Sequence, residues 1–254
     1  MQKISISIVS HLQGGIVGEL LSDIECFGGN NIEVLLTLNM EEVVPLAEQK
    51  FSYPIQIIHN PIPKGFAANH NHAFTHAQGQ FFCVLNPDIR LKSNPFKGLV
   101  TTLQNPSMGV VAPVVLTKSG EIEDSARKFP TPLKILCKAF GKCQGGDYLV
   151  KDETVFPDWV GGMFMLFRRE TFAELGGFNE RYFLYYEDVD LCARLRLRGY
   201  EVAICPASKV VHHAQRSSHR NLKYLRWHVT SMLRFFLSYT FIKIYWLRMI
   251  RRMP

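Results

Sequence analysis

Cysteine supplies no framework in this chain. The six present (Cys26, Cys83, Cys137, Cys143, Cys192, Cys205) form no C-x-x-C pair and no tight metal spacing. A disulfide scaffold and a zinc site are therefore not expected. Most of these cysteines sit in apolar runs, where they read as reduced core thiols of a cytosolic protein. Long apolar runs are also missing. Within 221–252, Arg234, Lys243 and Arg248 interrupt every stretch short of the roughly 18 to 20 apolar residues that a membrane span needs. Met1-Gln2-Lys3 leads straight into the alternating run Ile4 to Val9, so no signal peptide is expected. Internal repeats and low-complexity segments are absent as well.

Acidic residues stop at Glu201. Beyond it lie ten Lys/Arg and no Asp or Glu, whereas the first 201 residues hold 19 basic and 22 acidic side chains. The net charge of +7 therefore belongs to the C-terminal part. Its cations are interleaved with Tyr224, Trp227, Phe235, Phe236, Tyr239, Phe241, Tyr245 and Trp246. This pattern fits a helix lying on an anionic membrane surface better than a phosphate track, so no nucleic-acid partner is expected. The bland alternative is a helix packed on the domain with a solvated basic face. We divide the chain into a domain over 1–218 and a basic helical tail over 219–254.

What is present is a globular chain, with 47% hydrophobic and 20% charged residues in 254. Ile4 to Val9, Ile32 to Leu38, Ile55 to His59, Phe81 to Leu85 and Met108 to Leu116 read as buried strands, with a helical pattern at Val17 to Phe27. Strand–helix–strand spacing of this kind predicts a parallel, helix-covered sheet. Ligands bind at the carboxyl ends of such strands, which puts Ser10, His11, Asn39 and Asn60 on the candidate rim. Lys64-Gly65-Phe66 opens a helix carrying Asn69, Asn71 and His72, where a helix N-terminus can accept an anion such as a diphosphate. Asn86-Pro87-Asp88 is either a turn or a place for Asp88 to ligate a divalent cation. Glu201 to Cys205 reads as a short strand, with His212-His213 following Val210-Val211. Residues 132–157 read as a lid or acceptor-side insertion with a short helix at Leu133 to Phe140.

The stretch from Trp159 to Gly199 organises the rest. Val160, Met163, Met165 and Phe167 suit a buried strand entered through Gly161-Gly162, and Arg169 to Leu175 a short helix stopped by Gly176-Gly177. An aromatic, irregular run from Tyr182 to Tyr186 delivers Glu187, Asp188 and Asp190 to a helix start. Capping and dipole stabilisation explain acids there. The aromatic neighbours give a second reading: a carboxylate half-buried beside a cleft, with a raised pKa that suits a general base.

In this order and spacing the motifs resemble glycosyltransferase family 2, most of all its bacterial rhamnosyltransferase-type members. They are the opening strand to Ser10; Gly65-Phe66-Ala67 with Asn71; Asn86-Pro87-Asp88; Arg127 with Phe129-Pro130-Thr131; Trp159 with Gly161-Gly162; Arg168-Arg169-Glu170; Gly176-Gly177-Phe178; Glu187 through Cys192; Arg194; Gly199-Tyr200; and His212 with Ser217. The resemblance implies a GT-A fold, a Rossmann-like, mostly parallel nucleotide-binding α/β sheet with helices on both faces. It also implies inverting transfer from a nucleotide diphosphate sugar, with dTDP-rhamnose preferred over a UDP-sugar. On this likeness Asp188 is the catalytic base. Asp88 and His212 hold Mg²⁺ or Mn²⁺. Ser10, Asn39, Gly65, Asn71, Asn86, Arg127, Trp159, Gly161, Gly162, Glu187 and Arg216 surround the substrates. Two positions depart from the family pattern: Asn86 stands first in the D-x-D-type site, and the second strand ends in Leu38-Asn39 rather than Asp-Asn.

The expected setting is synthesis of a bacterial surface polysaccharide on a lipid-linked saccharide acceptor. The enzyme would be peripheral on the inner, cytoplasmic face of the membrane. The reading from another class is a non-catalytic sugar-nucleotide-binding or scaffold subunit, against which Asp88 and Asp188 both stand.

Overall fold

Continuously apolar strands need cover on both faces, and alternate residues of each then feed two separate cores. The computed structural model describes residues 3–44, 50–139, 146–213 and 222–251. Its strands are β1 (Ile4–Ser10), β2 (Ile32–Leu38), β3 (Ile55–His59), β4 (Phe81–Leu85), β5 (Ile89–Arg90), β6 (Met108–Leu116), β7 (Ala126–Arg127), β8 (Trp159–Val160), β9 (Phe164–Arg168) and β10 (Glu201–His212). The helices are α1 (Gly14–Phe27), α2 (Phe66–His76), α3 (Phe96–Leu103), α4 (Pro132–Ala139), α5 (Arg169–Glu174), α6 (Glu187–Leu197), α7 (Leu222–Phe236) and α8 (Tyr239–Arg251). Eight strands form one sheet in the order β3-β2-β1-β4-β9-β6-β10-β5, and β7 pairs with β8 apart from it. Phe82, Val84, Met165 and Phe167 enter one core with residues of α2, α5, α6 and α8. Their neighbours Phe81, Cys83, Leu85, Phe164 and Leu166 enter the other, against α1 and α3.

The mostly parallel sheet with helices on both faces agrees with the sequence reading. Two local expectations change. Trp159-Val160 and the strand from Phe164 are separate elements, because the glycine pair turns the chain out of one sheet and into the other. Strand β9 also runs antiparallel to both β4 and β6. The expected short strand ending at Cys205 instead runs twelve residues to His212, with an irregularity between Cys205 and Lys209 that lets Pro206 sit unpaired. That extension carries His212 to the sheet edge, where it pairs with Ile89 of β5.

Gly177 joins two layers. Asn71 on α2 accepts the Phe178 N–H (2.8 Å) through Oδ1 and donates through Nδ2 to the Phe178 carbonyl (2.8 Å) and to Glu180 (2.9 Å). Gly177 lies at φ +70°, and a Cβ there would overlap Asn71 Oδ1. Gly176 has the same φ but open space around it. Left-handed backbone alone costs a non-glycine residue about 1–2 kcal/mol. Gly177→Ala is expected to lower the denaturant midpoint clearly more than Gly176→Ala. Equal midpoints would show that the Asn71 contact yields freely.

The C-terminal helices are packed on the sheet layers rather than standing clear of them. Phe235 and Ile244 are buried in the first core. Ser231 Oγ donates to the Leu184 carbonyl (2.9 Å). Arg248 pairs with Asp158 and lies over the Phe129 ring, 5.0 Å from its centroid. Buried Asp190 is held by Arg194 Nε (2.7 Å) and bonded by Thr240 of α8. Arg194 also donates to the Leu175 and Gly177 carbonyls (both 2.8 Å), so a single ion pair ties α5, α6 and α8 together. Among the described residues no helix is long and apolar enough to cross a membrane.

Candidate active site

One short turn touches both candidate catalytic groups. Gly161-Gly162-Met163 connects β8 to β9. On one side the Met163 carbonyl accepts the Asn86 N–H (2.9 Å) and so fixes the turn that carries Asp88. On the other side the Gly162 N–H donates to Asp188 Oδ2 (2.9 Å). Gly162 has room for little else, since a Cβ would stand 3.3 Å from Phe66 and 3.6 Å from Asp188.

Asp188 sits in the first turn of α6. Its Oδ1 accepts the Val189 N–H (2.8 Å), so both carboxylate oxygens take backbone donors. Capping therefore explains only part of this acid cluster. Tyr186, not an acid, occupies the N-cap position, and it makes no side-chain cap bond. Tyr185 and Tyr186 hold φ of 69° and 68°, left-handed backbone that aromatic residues adopt only when packing enforces it. The enforcing contacts come from α7: the His228 ring lies 5.3 Å from Tyr185 and 5.5 Å from Tyr186, and Phe235 lies 5.7 Å from Tyr186.

Burial raises the Asp188 carboxyl, while the Gly162 and Val189 N–H groups and the Arg127 charge pull it partly back; the net shift is upward. Burial, and then the Asp188 charge, raise Glu187 further, well above the usual carboxylate range. Glu187 Oε2 is buried with no hydrogen-bond partner among the described residues. Glu187 is raised the more strongly, so of the two it binds a proton in preference to Asp188. A charged carboxylate with a raised pKa is a base matched to a hydroxyl.

Asp188 and Glu187 line a cavity of about 820 Å³. Arg127, Trp159, Tyr185 and Tyr186 line it beside them, and Lys134 and Ile135 of α4 and Leu222, Leu225 and His228 of α7 form further walls. Arg127 stacks over Trp159 at 5.5 Å and pairs with Asp124 at 3.0 Å, while Trp159 Nε1 donates to the Lys128 carbonyl (3.1 Å). The contribution of α7 was not foreseen from sequence, because amphipathic spacing does not say which face docks.

The second cluster forms where β5 meets β10. The His213 N–H donates to the Asp88 carbonyl (2.8 Å) and sets His212 beside the Asp88 side chain. His212 Nε2 lies 3.2 Å from Asp88 Oδ2, and Nδ1 lies 2.8 Å from Glu123 Oε2. Burial alone would lower the imidazole. Hydrogen bonding and charge from Asp88, then from Glu123, outweigh it and push His212 up to about 9. Asp88 Oδ1 is buried with no partner among the described residues. The orphaned Asp88 oxygen suits Mg²⁺ or Mn²⁺, and His212 could join it only by giving up its Nε2 proton, Nδ1–H staying on Glu123; a diphosphate would supply most of the remaining ligands. The described residues contain no complete protein-only metal cluster. Glu123 escaped the sequence reading because one glutamate in a polar loop carries no spacing signal.

The remaining candidates lie at the carboxyl ends of β1 to β3 or between layers. Ser10 is fully buried and its Oγ has no partner among the described residues. Asn39 is occupied internally: it accepts the Lys64 N–H (2.8 Å) and Asn60 Nδ2 (2.8 Å), and donates to the Lys64 carbonyl (3.0 Å) and His11 (3.2 Å). Gly65 allows Phe66 N–H to reach the Phe183 carbonyl (2.9 Å), and any Cβ at 65 would overlap that oxygen. It thereby docks the start of α2 on the loop that precedes Asp188. Asn71 bridges α2 to Phe178 and Glu180 as described. The Gly161 N–H bonds the Ser125 carbonyl (3.0 Å). Arg216 lies outside the described residues.

The sequence profile of the family described as "Glycosyltransferase like family 2" matches residues 14–230. The chain is 30% identical over 148 residues to the N-acetylglucosaminyl-diphospho-decaprenol L-rhamnosyltransferase of Mycobacterium tuberculosis, covering 54% of this chain and 48% of that protein. It thus spans about half the length of the mycobacterial relative. It is 29% identical over 184 residues to rhamnosyltransferase WbbL of Escherichia coli K12, covering 67% of this chain and 69% of that protein. Among solved structures, GalNAc-T7 with UDP, GalNAc and Mn²⁺ superposes with a TM-score of 0.65 at 16% identity, over 84% of this chain and 43% of that one. The mannosyltransferase PcManGT of Pyrobaculum calidifontis with GDP-Man and Mn²⁺ gives 0.63 at 18%, over 92% and 64%. The fold is that of the GT-A glycosyltransferases, and the chain belongs to the glycosyltransferase-like family 2.

Proposed function

We propose that this protein transfers a sugar, with inversion, from a nucleotide diphosphate donor to a hydroxyl of a lipid-linked saccharide. The observation that carries the reading is the pair of carboxylates flanking the 161–163 turn. Asp88 has a buried, unpartnered oxygen, and Asp188 is a raised carboxylate facing the cavity. Asp188 takes the proton of the acceptor hydroxyl. The oxygen then attacks the anomeric carbon from the face opposite the diphosphate, the C–O bond to the diphosphate breaks, and the nucleoside diphosphate leaves. Asp88 and His212 would hold Mg²⁺ or Mn²⁺, which supplies positive charge to the departing diphosphate. Rhamnose is the favoured sugar because two relatives carry that activity in their names. The mycobacterial relative's name also supplies the class of acceptor, a saccharide on a polyprenyl diphosphate.

Nucleotide release measured across dTDP-rhamnose and UDP-sugars, with a saccharide diphospholipid, in Mn²⁺ and in EDTA, tests this reading. One donor turning over in metal supports it. Release from no donor moves the scaffold reading ahead.

A lipid-linked acceptor requires the enzyme at a bilayer. Leu222, Leu225, Val229 and Leu233 recur at three- and four-residue spacing along α7 and are exposed, as are Ile242, Trp246, Met249 and Ile250 on α8. The same two helices carry Lys223, Arg226, Arg234 and Lys243 and no acid, while Arg248 is turned inward to Asp158. Apolar area plus cations on one surface suits anionic lipid. Sedimentation with phosphatidylglycerol vesicles is expected to carry the protein down, phosphatidylcholine vesicles much less. Leu225→Asp with Leu233→Asp should abolish sedimentation without altering the melting temperature. Equal binding to both lipids, or binding that survives the double variant, would remove this surface from the account.

A further inference from the structure

We infer that the mouth of the Asp188 cavity contains an anion-binding subsite, built from Lys128 and Lys134, that takes the diphosphate of a lipid-linked acceptor. The inference rests on the transfer reading above and adds what it leaves open, the part of the acceptor beyond the reacting sugar.

Both lysines line the cavity that holds Asp188. Of the cavity's cations, Arg127 acts on Asp188 itself; the other two have different surroundings. Asp147 organises them, accepting the Lys128 backbone N–H (3.0 Å) and pairing with the Lys134 ammonium. The Lys128 ammonium lies 6.0 Å over the Tyr148 ring, and among the described residues no carboxylate pairs with it. The lining brings three cations together, Arg127, Lys128 and Lys134, and of its carboxylates Asp147 is committed to Lys134. A lysine ammonium has three donors, and Lys134 gives two of them to the Asp147 oxygens and keeps one.

The lining also says what the anion is attached to. Leu222 and Leu225 of α7 and Ile135 of α4 line the same cavity, yet Leu222 is 83% and Leu225 57% exposed. These leucines begin the apolar stripe on the outer face of α7. An anion seated at the two lysines can therefore continue into hydrocarbon along α7, while the sugar lies inward beside Trp159 and Asp188. A saccharide on an alkyl diphosphate matches that sequence of surfaces: sugar, charge, chain. A free phosphate or a soluble sugar phosphate uses only part of it.

The test uses the full chain and three acceptors bearing one sugar: on an alkyl diphosphate, on a neutral alkyl glycoside, and as the diphosphate without the chain. In the wild type, kcat/KM is expected to rank the alkyl diphosphate above both others. Lys128→Ala and Lys134→Gln should each reduce its advantage over the neutral glycoside by roughly 10- to 100-fold, mostly through KM, as the loss of a hydrogen bond to a charged group implies. Lys128→Arg should restore most of it. Lys128→Ala keeps the backbone bond to Asp147, so it remains informative if Lys134→Gln unfolds α4. Wild-type transfer with the same preference in every variant overturns the subsite alone. An equal rate on the diphosphate with and without its chain overturns the lipid part. Wild-type transfer to none of the three overturns the transfer reading itself.

Discussion

Asp188→Asn is expected to lower kcat by roughly 10²- to 10⁴-fold, the usual contribution of a positioned base, while donor affinity stays within a few-fold. The geometry explains why the protein should survive the change. The amide oxygen can replace one carboxylate oxygen toward Gly162 or Val189, and the amide nitrogen then faces the other backbone N–H. That loses about one hydrogen bond, or about 1 kcal/mol. A pH profile adds a second signature. Folding raises the Asp188 carboxyl, so its proton persists above the normal carboxylate range. Turnover should therefore rise with pH through that raised pKa and fall on the acid side of it. Arg127 opposes the rise by its charge, so Arg127→Leu should move the acid limb to higher pH. A limb that stays in place would show that another group sets it.

Asp88→Ala is the second large effect. Removing the carboxylate leaves the backbone bond between the Asp88 carbonyl and the His213 N–H intact, so β5 and β10 stay paired. His212 keeps Glu123 as its partner. What disappears is the oxygen site next to the imidazole. A cation on the departing charge contributes several kcal/mol, so turnover should fall by roughly 10²- to 10⁴-fold. Mn²⁺ titration by electron paramagnetic resonance, with nucleoside diphosphate present, should show the bound ion lost in the variant. Unchanged Mn²⁺ binding would place the ion elsewhere. Unchanged turnover in EDTA would mean that cationic groups of the protein alone carry the diphosphate.

Much of this frame was legible in the residues, and the exceptions have definite physical causes. Buried strands such as Ile32–Leu38 and Phe81–Leu85 announce themselves as short apolar runs, and Gly176-Gly177 and Gly199 mark helix ends by needing positive φ. Direction leaves no such trace, because an apolar run has the same period whether it pairs parallel or antiparallel; β9 could not be oriented beforehand. Two-residue strands such as β7 and β8 have no periodicity at all. Asp188 stood out through its aromatic approach and glycine pair, whereas Glu123, brought 2.8 Å from His212 only by folding, did not. The C-terminal segment was legible as helical, but its helices have two apolar faces. Phe235 and Ile244 turn inward, Val229 and Leu233 outward, and only the packing shows that His228 also walls the cavity and holds the left-handed Tyr185-Tyr186 turn.

The central claim is a single base working opposite the departing diphosphate, and the product's stereochemistry reads it directly. Once the donor is known, the anomeric configuration of the new glycosidic bond can be measured by NMR on product made by the wild type. The account predicts a configuration opposite to that of the donor, from one displacement assisted by Asp188. Retention of the donor's configuration would contradict it, and would require the Asp188 carboxylate or a neighbour to act on the sugar rather than on the acceptor's proton.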